Sequence, residues 1–196
     1  MRAALPLFLI LVAGCGPALA PAAEVTPAAS QAPASAPRVE QPPVTPPTAP
    51  GTNLPAFACA DASGGKTGVA NVVAARVAPQ AGYDRFVLQF DSTVPSYTVK
   101  RQASPVFPSG ASGQTLTLSG TSGALVRVHS ATGANTFTGS TDITHGEYQV
   151  LKEARQTEDF EGNVSWGLGL GKPACLRTFT LADPARLVVD FSTAAS

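Results

Sequence analysis

Arg85-Phe86-Val87-Leu88-Gln89-Phe90 is the stretch whose reading decides the fold class. Phe86, Leu88 and Phe90 alternate with Arg85, Val87 and Gln89, and a period of two becomes a single apolar face only in an extended strand. The same rhythm returns in Val164-Ser165-Trp166-Gly167-Leu168-Gly169-Leu170 and in Leu125-Val126-Arg127-Val128-His129. Working outward, Val69–Val77 reads as a first strand and Tyr97–Gln102 as a short, charged strand suited to a sheet edge. Leu116 and Leu118, Arg177–Leu181 and Arg186–Phe191 supply further strands. Turn formers separate nearly all of them: Pro79-Gln-Ala-Gly82, Pro108-Ser-Gly110, Ser119–Gly123 and Asp183-Pro184. Short strands at this spacing predict an all-β domain, a sandwich or barrel. Glu147–Phe160 is the ambiguous segment. Lys152-Glu-Ala-Arg155 are good helix formers, while Tyr148 and Val150 alternate; the segment is read as a strand.

The N-terminus has a different character. Arg2 gives a positive charge, Ala3–Val12 is apolar apart from Pro6, and Val12-Ala13-Gly14-Cys15 follows. Charged start, short apolar run and small residues at a cut site are the order of an export signal. A run of about 10 apolar residues is half of what a spanning helix needs. The cysteine resembles the lipobox of bacterial lipoproteins, in which the thiol directly after the cut is lipidated. That resemblance implies a signal peptide over 1–14, acyl chains on Cys15, and a mature chain anchored to the cell membrane and working outside the cytoplasm. An ordinary cut after Ala20 is the competing reading; it leaves a secreted protein without Cys15.

Cysteine number agrees with lipidation. The three are Cys15, Cys59 and Cys175, and an odd count in an exported protein calls for an explanation. If Cys15 carries lipid, Cys59 and Cys175 remain to form one disulfide in an oxidising compartment, stapling the two ends of the domain. Two buried free thiols are the alternative. No CxxC is present, so a zinc site is not expected.

Composition bounds the rest. The 196 residues carry 13 basic and 13 acidic side chains, a formal net charge of zero. A nucleic-acid partner would call for a clustered basic surface, and none is expected. Ten of the 18 prolines fall between Gly16 and Pro50, among Ala, Ser and Thr, with only Glu24, Arg38 and Glu40 as charges. Such a segment buries too little apolar surface to offset the entropy of ordering. Residues 15–56 therefore read as a disordered Pro/Ala/Thr-rich linker. Fully extended it reaches roughly 110 Å, and as a coil nearer 35 Å. Residues 57–196 are an ordinary length for one domain.

Three segments carry a resemblance. Gly82-Tyr-Asp-Arg-Phe-Val-Leu-Gln-Phe90, Asp159-Phe-Glu-Gly-Asn-Val-Ser-Trp-Gly-Leu-Gly-Leu170 and Phe179-Thr-Leu-Ala-Asp-Pro-Ala-Arg-Leu-Val-Val-Asp190 are similar, in order and spacing, to motifs of the AMIN-like domain of bacterial lipoproteins. Ser104–His145 matches no motif. The resemblance implies a β-sandwich related to the AMIN modules of cell-wall amidases and secretion-pore proteins. Those modules are non-catalytic, localise their parent protein to envelope structures, and in some cases bind peptidoglycan.

Residues with chemical potential are few. Asp142, His145 and Glu147 could ligate a metal, but such a trio in a Thr/Gly-rich loop reads as solvated polar surface. Asp159 and Glu161 could pair as glycosidase carboxylates, yet they flank Phe160 in a turn-like Phe-Glu-Gly. His129 ends a strand as a rim residue. No Gly-x-Ser-x-Gly turn is present. No catalytic residue, metal or cofactor is expected. The suggestive surface is the strand of Trp166: Ser165, Gly167 and Gly169 project to the face opposite it, and glycines in a strand mark a close backbone approach. Either another chain or a glycan lies against this face, or the strand is tightly packed within the domain. The functional expectation is a tethered, non-enzymatic module contacting peptidoglycan or wall glycans. The alternative is an assembly module docking on another envelope protein through a strand edge.

Overall fold

The computed structural model describes residues 53–195. The signal segment, Cys15 and nearly all of the linker lie outside the described residues. The domain is built from thirteen strands: β1 (Ala62–Gly64), β2 (Ala70–Gln80), β3 (Tyr83–Phe90), β4 (Tyr97–Gln102), β5 (Val106–Ser109), β6 (Gln114–Thr117), β7 (Ser122–His129), β8 (Ala131–Thr132), β9 (Asp142–Thr144), β10 (Leu151–Phe160), β11 (Asn163–Leu170), β12 (Leu176–Leu181) and β13 (Arg186–Ser192). One 3-10 turn, Gly110–Ser112, is the only helical element among the described residues.

The strands form a six-stranded sheet, β1-β4-β7-β11-β10-β9, a five-stranded sheet, β12-β13-β3-β2-β8, and the separate hairpin β5-β6. The alternation read from the sequence sets which faces meet. Phe86, Leu88 and Phe90 of β3 and Leu187, Val189 and Phe191 of β13 face Val126, Val128, Val164, Trp166 and Leu168 of the other sheet in one continuous core. The Phe86 and Trp166 rings meet across the two layers at 5.6 Å. This is the expected all-β sandwich.

Four short strands were not legible in the sequence: β1, β5, β8 and β9. The strand over Tyr97–Gln102 is present, but it is not an outermost strand as expected. It pairs with β7 along its whole length, and β1 covers its outer side from Tyr97 to Val99. The ambiguous segment is strand from Leu151 to Phe160. Its helix-forming residues are overridden because β10 lies between β11 and β9, with Leu151 and Ala154 buried. Its entry is fixed by Asp84, which is 1% exposed and accepts the Val150 and Leu151 backbone N–H groups at 2.6 and 2.9 Å. Its exit is a two-residue hairpin: Phe160 pairs with Asn163, and Glu161 and Gly162 have φ of 48° and 74°, the two positive values that a type I′ turn requires.

Cys59 and Cys175 are joined by a disulfide with Cα atoms 4.1 Å apart, across 116 residues of sequence. Beside it, Ala58 and Leu176 exchange two backbone hydrogen bonds at 2.8 and 2.9 Å. The start of the domain is thus sewn to β12 by covalent and ladder bonds together.

Candidate functional site

The sequence-predicted binding face is closed. Trp166 is fully buried in the core, packed between Phe86 and Phe137. On the opposite side of β11, Ser165 is 1% exposed, and Gly167 and Gly169 are buried too. The β5-β6 hairpin and the loop after it cover that side. A Cβ on Gly167 would stand 2.8 Å from Cδ2 of Phe107 and 3.2 Å from Cδ1 of Leu118; one on Gly169 would overlap the Ser119 carbonyl oxygen. The glycines do mark a close approach, but the segment that approaches belongs to this chain. Trp166, Ser165, Gly167 and Gly169 are therefore corrected from a candidate binding face to an internal packing interface.

The polar candidates are engaged locally. Asp159 accepts from the Thr132 hydroxyl at 2.9 Å and the Gly133 N–H at 2.8 Å, so it pins a loop. Glu161 sits in the hairpin turn. His145 Nδ1 lies 2.8 Å from Glu147 Oε1, while Asp142 turns to Arg155 at 3.4 Å. The trio is split between two partners. Glu147 is held below the usual carboxylate range, first by its own backbone N–H and then by His145. His129 Nδ1 meets Asn163 Oδ1 at 2.9 Å at the end of β7. Among the described residues, no group of three His, Cys, Asp or Glu is gathered to hold a metal ion.

An arrangement that the sequence reading missed lies on the outer face of the five-stranded sheet. Asp190 of β13 is directly opposite Arg85 on one side and Arg177 on the other. Its carboxylate is wholly buried, whereas the two arginine side chains are 24% and 11% exposed. Arg85 donates from Nε at 2.7 Å and Nη2 at 3.0 Å, and Arg177 from Nε at 2.8 Å. Burying this carboxylate would be costly unpaired; two charge-assisted partners offset the cost. The pairing with Asp190 also raises the Arg85 pKa above its ordinary value, against the opposing effect of burial.

Aromatic rings flank the guanidiniums, with Tyr83 between them. Arg177 lies 4.4 Å from the Phe57 centroid and 4.7 Å from that of Tyr83. Arg85 lies 5.2 Å from Tyr83 and 5.3 Å from Phe179. The result is a row, Phe57–Arg177–Tyr83–Arg85–Phe179, of half-buried rings and cations over one carboxylate, each contact within cation–π range. Two cations over one anion leave an excess positive charge. Flat apolar rings with fixed donors between them can receive a sugar ring on its C–H face and an acidic or acyl oxygen on a guanidinium. A signal for this row does exist in the sequence. Tyr83-x-Arg85 and Arg177-x-Phe179 each place an aromatic and an arginine on the outward parity of a strand. Only the register, set by contacts far apart in the chain, brings the two pairs onto Asp190.

Among the described residues no helix is long and apolar enough to cross a membrane. The family model described as AMIN-like domain matches residues 70–193, nearly the whole sandwich. No curated protein matches the chain.

Proposed function

Because the chain belongs to the AMIN-like family, a family of extracytoplasmic envelope modules, we propose that it is a non-catalytic binding module of the bacterial cell envelope whose target is peptidoglycan or wall glycan. The observation that carries this reading is the outward row Phe57–Arg177–Tyr83–Arg85–Phe179. The four cation–π contacts among the described residues all lie in it, and its chemistry suits sugar rings bearing acyl and carboxyl groups. The absence of catalysis is part of the same proposal: His129, Asp142, His145, Glu147 and Asp159 are each engaged in local bonds, and Glu161 sits in a hairpin turn.

The proposal includes the segment arrangement read from the sequence. Residues 1–14 are a signal peptide, Cys15 carries the lipid, residues 15–56 are the tether, and residues 57–196 are the domain. A tether confines the domain near the wall, so that modest intrinsic affinity suffices. Co-sedimentation of the protein with purified cell walls tests the binding. Tyr83→Ala and Phe179→Ala should each reduce the bound fraction while leaving the fold intact, and a bound fraction unchanged in both variants would refute the platform. Cys15→Ala should abolish lipid labelling and release the protein from membranes; unchanged membrane fractionation would refute the anchor.

A specific observation also favours the assembly reading. The backbone N–H and C=O of Leu176 point away from β13 towards Ala58, so those of Thr178 and Thr180 point the same way by the two-residue period. Among the described residues nothing pairs with them on that side. A strand of a partner protein could add there. Thr178→Pro removes one outward donor and should abolish capture of such a partner while leaving wall binding unchanged.

A further inference from the structure

The disulfide and the outward row share one short strap of chain. Ala58 and Leu176 pair antiparallel, so the residue before Ala58 comes beside the residue after Leu176. That residue is Phe57, whose ring lies 4.4 Å from the Arg177 guanidinium and 6.1 Å from the Tyr83 ring. Two positions further on, Cys59 is bonded to Cys175. Residues 57–61 precede β1 and stand outside both the core cluster and the family match over 70–193. Tyr83, Arg85, Arg177 and Phe179 are fixed by their places on β3 and β12. Phe57 is the one member of the row with no strand beneath it.

Its position therefore depends on how the strap is held. Residues 53–57 make no hydrogen bond to another described residue. Residues 58–61 are exposed. Ala58 exchanges bonds with Leu176 at 2.8 and 2.9 Å. The Cys59 carbonyl accepts from Arg101 Nη1 at 2.7 Å, and Asp61 accepts from the Arg101 backbone N–H at 2.9 Å. Exposed bonds of this kind exchange with bonds to water at small net effect, ordering each residue costs backbone entropy, and such ends open locally. The S–S bond is the one link that water cannot replace. It removes most of the strap's freedom, so that a single ring contact suffices to keep Phe57 beside Arg177.

We propose that the Cys59–Cys175 bridge is a positioning element of the ligand row: it seats Phe57 beside Arg177, and the row is complete only while the bridge is closed. The inference rests on the row being the ligand surface, as proposed above. Closing the bridge takes two electrons and two protons from the two thiols and passes them to the disulfide of an exchanging oxidant, which leaves as a dithiol. Disulfides persist in oxidising compartments and not in the cytoplasm. The chain thus acquires its full affinity for sugars bearing acyl and carboxyl groups only after export. A dithiol reductant lowers that affinity again while the sandwich, whose core lies between the two sheets, stays folded.

The test compares the full-length protein, oxidised and reduced with tris(2-carboxyethyl)phosphine, with Phe57→Ala in the same two states and without denaturant. Trp166, the only tryptophan of the chain and buried in the core, reports by its emission that the sandwich is intact. The Arg177 Nε–H resonance reports the ring beside it. Phe57→Ala removes the ring-current shift, and reduction should remove the same shift with Trp166 emission unchanged. Reduction should weaken co-sedimentation of the wild type with purified walls roughly two- to fivefold, the size of one exposed cation–π contact. It should not weaken Phe57→Ala further. Two glycines inserted between Phe57 and Ala58 keep the bridge and uncouple the ring from it. That variant should match Phe57→Ala in both readouts, and it decides the matter if reduction alters Trp166 emission. A wild-type Arg177 resonance in the reduced, folded protein or in the glycine variant overturns the proposal, as does reduction that weakens Phe57→Ala as much as the wild type. If the oxidised wild type does not sediment with walls, the ligand reading fails, and the resonance still decides whether the bridge seats Phe57.

Discussion

Replacing Gly169 by alanine separates the two explanations of the glycine-rich strand. The new methyl group would overlap the Ser119 carbonyl oxygen and stand 3.0 Å from Cβ of Leu118. The obstacle is backbone, and it cannot rotate aside. Ser119 is also held in place: its N–H and hydroxyl donate to Glu153 Oε2 at 2.8 and 2.9 Å, and Glu153 is the cross-strand neighbour of Gly169. To admit the methyl, the loop must retreat and strain or break both bonds to a carboxylate that is 8% exposed. Overpacking costs about 1–3 kcal/mol, and loss of a hydrogen bond to a charged group adds about 1.5–3 kcal/mol. The expected destabilisation is about 3–5 kcal/mol, a fall in melting temperature of roughly 10–20 °C for a domain of this size.

Thermal and urea denaturation followed by circular dichroism measure this directly. Gly146→Ala is the control, because nothing lies within 4 Å of its Cβ position; it should be neutral or stabilise by up to about 1 kcal/mol. If Gly169→Ala melted with the wild type, the close approach would be wrong. If it also lost wall binding while remaining folded, the face under the hairpin would be a ligand surface after all.

Other outcomes follow from single contacts. Asp84→Leu leaves the Val150 and Leu151 N–H groups buried without an acceptor and should cost about 2–4 kcal/mol, with Asp84→Asn milder because an amide oxygen can still accept; equal stability of all three proteins would refute the pinning role. Reducing the Cys59–Cys175 bridge should destabilise the domain by up to about 4–5 kcal/mol, given the 116-residue separation, and an unchanged urea midpoint in reductant would refute it. Asp91 is held below the ordinary carboxylate range, chiefly by the Asn71 backbone N–H and then by the Asn71 side chain. The ionised form is favoured by folding, so its contribution is complete above the ordinary range and is lost as pH falls through the depressed value. It should be small at this exposed position. Stability curves of the wild type and Asp91→Asn should therefore converge as pH falls, and a gap independent of pH would contradict the assignment.

Much of the fold was legible because its cause is local. Phe86, Leu88 and Phe90 alternate, and alternation alone places them on one face; β3, β7 and β11 show that rhythm. Phe160-Glu-Gly162 reads as turn-like, and Glu161-Gly162 are the turn between β10 and β11. What escaped had causes elsewhere in the chain. Ala131-Thr132 is a strand only because it lies parallel to Ala70-Asn71. Val106-Phe107-Pro108-Ser109 has no alternation to display, and Phe107 is buried only because Gly123 and Gly167 leave room for its ring. The cover over the glycine face thus depended on matching an apolar residue in one loop to missing side chains on two distant strands. The expected binding face failed for that reason: the sequence shows that a surface lacks side chains, and not what lies against it.

The family motifs themselves divide along the same line. Asp84 fixes the entry of β10, Asp159 a loop, Glu161 and Gly162 a hairpin, Gly167 and Gly169 the seat of another hairpin, and Trp166 the core. Each does conformational work, so the three segments through which membership is recognised specify a sandwich rather than a ligand. Tyr83, Arg85, Phe179 and Asp190 are the exception, motif positions on the outer face of their sheet, and they complete the row only with Phe57 and Arg177, which stand outside the motifs. If binding resides in that row, a change of ligand needs only Phe57 to change, with the motif segments untouched. Phe57→Ala should then leave the urea midpoint close to that of the wild type while weakening retention by wall material. A variant that unfolds would place Phe57 among the folding determinants instead.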